Sequence, residues 1–446
     1  MKRHLTLLLF TLPLILWGQT NHSTMQPITT YDALMQAVQQ GQSEISVARS
    51  ITVPHALILP RGTAIKGLPQ ENGERPMLLF PSSDGLGLTA DNQVTDLSIN
   101  APVSARAVFN TAAGADLGTF SLSRLLLQGQ LSVIMRPGAT RANVYLQDIH
   151  IAAADTRHYL EQPQKYGVNV LQGALTLYNM NGDPNSLMQV RAERIAIGRP
   201  GIPVAGSGIF IAGAGDAGGR THVSLLTTGA VYSTGKIPYG VADYITGAVF
   251  ILNGAHAQQV ITQGELVTYG VNDMVTDVWG SVEEWTANGP ITSYGPSGIG
   301  FVNFGTVRSY TANAPVRTYG EGARGYNQYD GTVEQITFSS IETFGHGSVG
   351  VQISKPIGRL TIKGNLTTHG SLGNSLVKGV IVPLPAYALS IKAGGRVEHI
   401  TVEGNITTYG NDVVSYITEP GAVVNQFTIG GTIQALGRNA QPQDLR

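Results

Sequence analysis

The side chains best suited to chemistry in this sequence sit in turns that interrupt a repeat. Lys236 and Tyr239 are candidate bases, Asp243 and Asp273 candidate carboxylate groups, and His346, set between two glycines, a candidate acid–base group. A base beside the proton alpha to a carboxylate, with a cation to neutralise that carboxylate, is what eliminative cleavage of a uronic-acid polymer requires. Tyr166, Arg199 and Tyr244 lie in the same kind of turn and could hold a substrate, and a column of Tyr269, Tyr294 and Tyr319 could stack on the apolar faces of sugars. Each assignment has a plain competitor. Lysines, tyrosines and aspartates on loops are ordinary solvated surface, and rings one coil apart can form a ladder that only stabilises. The ten histidines do not cluster at ligand spacing, and Asp273 with Asp277 is too little for calcium, so no metal or cofactor is expected.

The elements that must position these residues follow from one phrase. Thr-Tyr-Gly (268–270) returns as Ser-Tyr-Gly (293–295), Thr-Tyr-Gly (318–320), Thr-Phe-Gly (343–345) and Thr-His-Gly (368–370), with glycines 25 residues apart. A strict period of that length signals stacked units, here coils of three short strands in a parallel β-helix. First strands follow a glycine, as at Gly208, Gly247, Gly300, Gly325 and Gly350, and also at Gly167; second strands read Val282-Glu-Glu-Trp-Thr or Val307-Arg-Ser-Tyr-Thr; third strands run into the marker glycine. Alternation within the third strand aims side chains. Leu266, Ile291, Val316, Ile341, Leu366 and Ile406 point inward with a hydroxyl column at 268, 293, 318, 343, 368 and 408, whereas Val267, Thr292, Arg317, Glu342 and Thr367 and the aromatic column point out. Asn303 and Gln328 read as interior partners hydrogen-bonded from rung to rung. The turn before the first strand is swollen at 153–167, 198–208, 235–247 and 370–388, and these loops are expected to leave at one corner, where function tends to sit.

Ahead of the repeat, residues 1–19 combine Lys2 and Arg3 with the apolar run Leu5–Trp17, the layout of an export signal and too short for a membrane anchor. Segment 20–43 reads as a spacer and a capping helix, with apolar positions 31, 34, 35 and 38, a Thr29 or Thr30 cap and Gly41 at the end. The β-helix is expected over 44–437, irregular and loop-decorated in 44–260 and regular in 261–437, with a tail at 438–446. Only 13% of residues are charged, the net charge is −1 and 55 residues are glycine, which leaves no electrostatic footprint for nucleic acid. The chain has no cysteine, which an oxidising compartment permits.

Taken together, the capping helix, "Ser-Ile-Thr-Val-Pro" (50–54) and "Thr-Ala-Ile-Lys-Gly" (63–67) give a plan that resembles the pectin-lyase-like right-handed parallel β-helix superfamily. The C-terminal phrases "Thr-Val-Glu-Gly-Asn-Ile-Thr-Thr-Tyr-Gly" (401–410) and "Thr-Ile-Gly-Gly-Thr-Ile" (428–433) are similar to β-helical autotransporter passengers and adhesin-like surface proteins. Gly345-His346-Gly347 resembles the Gly-His-Gly of polygalacturonase-like hydrolases, but the positions one and two coils earlier, Glu321 and Pro296, do not supply that group's carboxylate pair. The resemblance implies a secreted or cell-envelope bacterial protein, monomeric after signal removal. Its partner would be a polysaccharide or cell-surface glycan bound along the side, adhesin-like. A polysaccharide-active enzyme, lyase before hydrolase, with a site among the corner loops is the alternative.

Overall fold

The computed structural model describes residues 26–71, 73–111, 114–377 and 380–446; the expected export signal and the loop residue Lys378 lie outside them. One α-helix, Tyr31–Gln39, precedes a long stack of parallel strands. Thr30 caps it by accepting the Ala33 N–H at 3.3 Å, Gly41 follows at φ +64°, and the buried Leu34 and Ala37 join the same apolar core as Ile45 and Val47 of the first coil.

The period is realised as register. Leu266 pairs with Ile291, Ile291 with Val316, Val316 with Ile341, Ile341 with Leu366 and Leu366 with Ile406, so each position lies beside its own repeat one coil on. All six are fully buried, and so are the hydroxyl residues Thr268, Ser293, Thr318, Thr343, Thr368 and Thr408. Asn303 Nδ2 donates to Gln328 Oε1 at 3.3 Å inside the stack, as expected from the sequence. The corner glycines have a steric cause. A Cβ on Gly320 would stand 1.9 Å from the Gly295 carbonyl oxygen.

The structure departs from the expected architecture in three places. The coils pair into two main sheets, one of 25 strands and one of 16, not three. The second and third ladders merge because the earlier coils do not break between them: Asp116–Gln128, Arg141–Ala153, Leu187–Ile197 and Arg220–Thr234 each run through both. In three of those strands, Arg124, Asp148 and Arg194 take φ of 51–55° and kink the chain where a glycine would end it. These corner residues alternate in charge with Asp96, giving the ion pairs Arg124–Asp96 at 2.6 Å and Arg194–Asp148 at 2.5 Å. Val267, expected outside, is buried; Tyr232, its register partner one coil back, is buried as well and donates its hydroxyl to Glu265, two residues before Val267. The last strand, Gln441–Leu445, pairs with Val414–Thr418 and carries the 16-stranded sheet through the segment read as a tail.

Candidate functional site

The site is assembled where loops of the irregular coils fold forward over the outer face of the 16-stranded sheet. Gly167 does not start a first strand. Gln164–Lys165 and Val168–Val170 pair antiparallel around Tyr166 (φ 57°) and Gly167 (φ 84°), the two positive-φ residues that a tight two-residue hairpin turn needs. The strand of that coil in the sheet is Gly173–Asn179. Val168–Val170 also pairs with the start of Tyr244–Ile251, which ties the hairpin to segment 242–245.

The hairpin tip is anchored far along the chain. The Tyr166 ring packs at 4.6 Å on Phe304 and edge-on at 5.3 Å against Trp279, and its hydroxyl donates to the Phe304 carbonyl at 3.3 Å. Phe304 continues to Tyr329 at 4.7 Å, so the corner following the first strand is aromatic in three successive coils, at 279, 304 and 329. Lys165 pairs with Asp216 at 2.9 Å and also lies 5.2 Å over the Tyr166 ring. From the other side the hairpin Gly373–Val377 and Val380–Leu384 lies across the coils, with Leu376 N–H on Ser297 Oγ at 3.1 Å and Ser375 Oγ on the Gly322 carbonyl at 2.9 Å.

Two adjoining depressions result. A shallow groove of about 500 Å³ is lined by Tyr166, Asp243, Tyr329, Asp330 and Lys355, and Asp330 and Lys355 stand 3.8 Å apart. A smaller pocket of about 110 Å³ shares Tyr166, Val168, Ala242 and Tyr329 as walls and reaches the sheet surface at Asp277, Ile299, Val302 and Arg324.

Of the residues singled out from sequence, Tyr166 and Asp243 meet in the groove, from two different swollen turns. Tyr244 takes part through its backbone, accepting from Asn272 Nδ2 at 3.1 Å. Lys236 and Tyr239 are exposed in the same loop but do not line the groove, and Arg199 is exposed on the 198–208 turn, which does not reach it. Asp273 is not a rim residue. It is buried inside the coil, accepting from Gly235 N–H at 3.2 Å, Gly270 N–H at 2.7 Å and the Thr246 hydroxyl, and burial outweighs these donors to push its carboxyl up to about 6. His346 lies at a corner turn with Nδ1 accepting the Ser371 N–H at 3.0 Å, away from both depressions. Tyr269, Tyr294 and Tyr319 form a continuous outward stack with Phe344, His369 and Tyr409 at centroid spacings of 4.7–5.3 Å. Both faces of Tyr294 and Tyr319 are thereby occupied by neighbouring rings, which leaves a ligand only their edges and hydroxyls.

Trp279, Phe304 and Tyr329, and with them Arg324, Asp330 and Lys355, belong to none of the swollen turns or motifs that the sequence displays. One signal was present: Asp277 and Arg324 are each an ionisable residue whose register partner in the neighbouring coil is apolar, Val302 for Asp277 and Ile299 for Arg324. Among the described residues no group of three or more His, Asp or Glu side chains could hold a metal ion. Compared with family models, with curated proteins and with solved structures, the chain matches none.

Proposed function

We propose that this chain is an exported bacterial β-solenoid of the secreted or cell-envelope kind that binds a polysaccharide or surface glycan on its side, in the manner of an adhesin. The observation that carries the reading is the groove: two tyrosines, two carboxylates and a lysine converge there from the hairpin around Tyr166, segment 242–243 and the corners at 329–330 and 355. Sugars are held by that mixture, ring faces against apolar C–H surfaces and charged groups on hydroxyls. Right-handed winding, which connections between parallel neighbours of a sheet strongly favour, and kinship with the pectin-lyase-like and passenger-type β-helices belong to the same proposal.

A second reading, a polysaccharide lyase, draws on the juxtaposition of Asp330 and Lys355 at 3.8 Å in the groove. Their side chains are 43% and 51% exposed, so the pair is solvated and screened, which suits a binding contact better than a base in a water-excluded site. The test is a glycan panel probed with the full chain, together with an assay of uronic-acid polymers for unsaturated product. The binding reading expects retention of specific glycans without product, weakened by Tyr166→Ala and Asp243→Asn. Unsaturated product that disappears in Lys355→Ala would replace it with the lyase, and a blank panel would overturn both.

A further inference from the structure

The small pocket beside the groove has a composition that a sugar site does not need. Its walls are mostly hydrocarbon, with Met274, Ile299, Val302, Phe304, Trp279 and Leu376 among them, yet its floor contains two ionisable side chains, Asp277 (0% exposed) and Arg324 (4%). These two do not neutralise each other. Asp277 is in register with Val302 and then Asn327, and Arg324 precedes Asn327 by three residues. Two rungs and three residues separate their Cα atoms by roughly 14 Å.

Each is left short of partners. Neither Asp277 oxygen has a hydrogen bond; the Trp279 indole N–H and the Val278 N–H lie close enough to favour the ionised form slightly, but neither closes a bond of good geometry. Arg324 donates through Nη1 to the Gly322 carbonyl at 3.3 Å, its Nε is unpartnered, and no carboxylate stands within ion-pair range of it among the described residues. Burial lowers Arg324 only to about 10, so its guanidinium stays charged at neutral pH, and burial raises Asp277 well above the usual carboxylate range, which favours its uncharged form. A buried guanidinium without an anion is unfavourable, and an anion entering the pocket relieves it.

We propose that this pocket is a binding site for a small apolar carboxylate, an aryl or compact alkyl acid, with its carboxylate on Arg324 and its hydrocarbon body against Ile299, Val302, Phe304 and Trp279. The pocket is small, about 110 Å³ against the roughly 150 Å³ apolar cavity that accommodates benzene, and it opens beside the groove, so only a compact acid suits it. The mostly hydrocarbon lining with few convergent polar groups is that of small-molecule sites generally. The site stands independently of glycan binding in the groove, which shares only its wall.

The experiment is calorimetric titration of the full chain at neutral pH with benzoate and, separately, with benzyl alcohol, its uncharged counterpart. Benzoate is expected to bind at least about tenfold more tightly than benzyl alcohol, and Arg324→Gln to erase that difference. Val302→Trp, which fills the pocket while leaving Arg324 in place, is expected to abolish binding of both and serves if Arg324→Gln does not fold. Equal affinity for the two probes, no benzoate binding to the folded wild type, or undiminished benzoate binding to Val302→Trp would each overturn the proposal. Glycan retention by the groove, measured on the same protein, reports separately on the adhesin-like reading.

Discussion

The coils before residue 262 and those after 273 are built from the same register but solve different problems. In the later coils as far as Gly370 most positions repeat at 25 residues, and columns of like residues face like: Ile291, Val316 and Ile341 inside, Tyr294, Tyr319 and Phe344 outside. The earlier coils replace glycine corners with kinked continuous strands and send out hairpins. The difference is a division of labour. The regular half supplies the floor of the candidate site at 274–352, and the irregular half supplies its wall through Tyr166, which hydrogen-bonds 138 residues away.

The largest effect is expected where regularity is enforced by sterics. Gly320→Ala places a methyl on the Gly295 carbonyl and should cost about 3 kcal/mol or more, whereas Gly182→Ala, with nothing within 4 Å in the irregular half, should change stability by less than about 0.5 kcal/mol; urea unfolding measures both. A comparable effect should follow pH. Asp273 has a folded value of about 6 against an ordinary 3.8, so its contribution is complete below about pH 3.8 and is lost as pH rises through about 6, on the order of 3 kcal/mol. Burial shifts Asp277 in the same direction, so it too contributes stability that is lost as pH rises. Unfolding midpoints followed from pH 4 to 7 should therefore fall in the wild type and fall less in Asp273→Asn.

Smaller effects separate the two halves. Tyr166→Ala removes the contacts with Trp279 and Phe304 and should cost about 2 kcal/mol, with hydrogen exchange accelerating in 164–170 and not in 291–343. Tyr294→Ala breaks two stacking contacts of the outward ladder and should cost about 1–2 kcal/mol without affecting ligand binding at the groove.

What could be read from the sequence was whatever repeats locally. The inward columns, the buried hydroxyls, the Thr30 cap and the Asn303–Gln328 bond follow from a period and an alternation, both properties of neighbouring residues. The site was legible only in part, because its parts meet through hairpins that no period encodes. Gly167-Val-Asn-Val has the pattern of a strand entry, and only its antiparallel partner 164–165 makes it a turn. Asp277 and Arg324 belong to columns of opposite parity, Arg324 standing three residues before the register partner of Asp277, so alternation does not bring them to one pocket; their burial there comes with segments about a hundred residues before Asp277 and fifty after Arg324. Asp273, by contrast, has the residue type of a rim carboxylate, and nothing in its sequence neighbourhood marks that Gly235, from a swollen turn 38 residues earlier, folds back onto its oxygens.

The central claim, that the irregular half closes a ligand site on the regular half, is tested most directly by hydrogen-exchange mass spectrometry of the full chain with and without the glycan that the panel selects. The account predicts simultaneous protection of 164–169, 242–245 and 324–330. Protection confined to the outward ladder from Tyr269 to Tyr409, with those three segments unchanged, would contradict it.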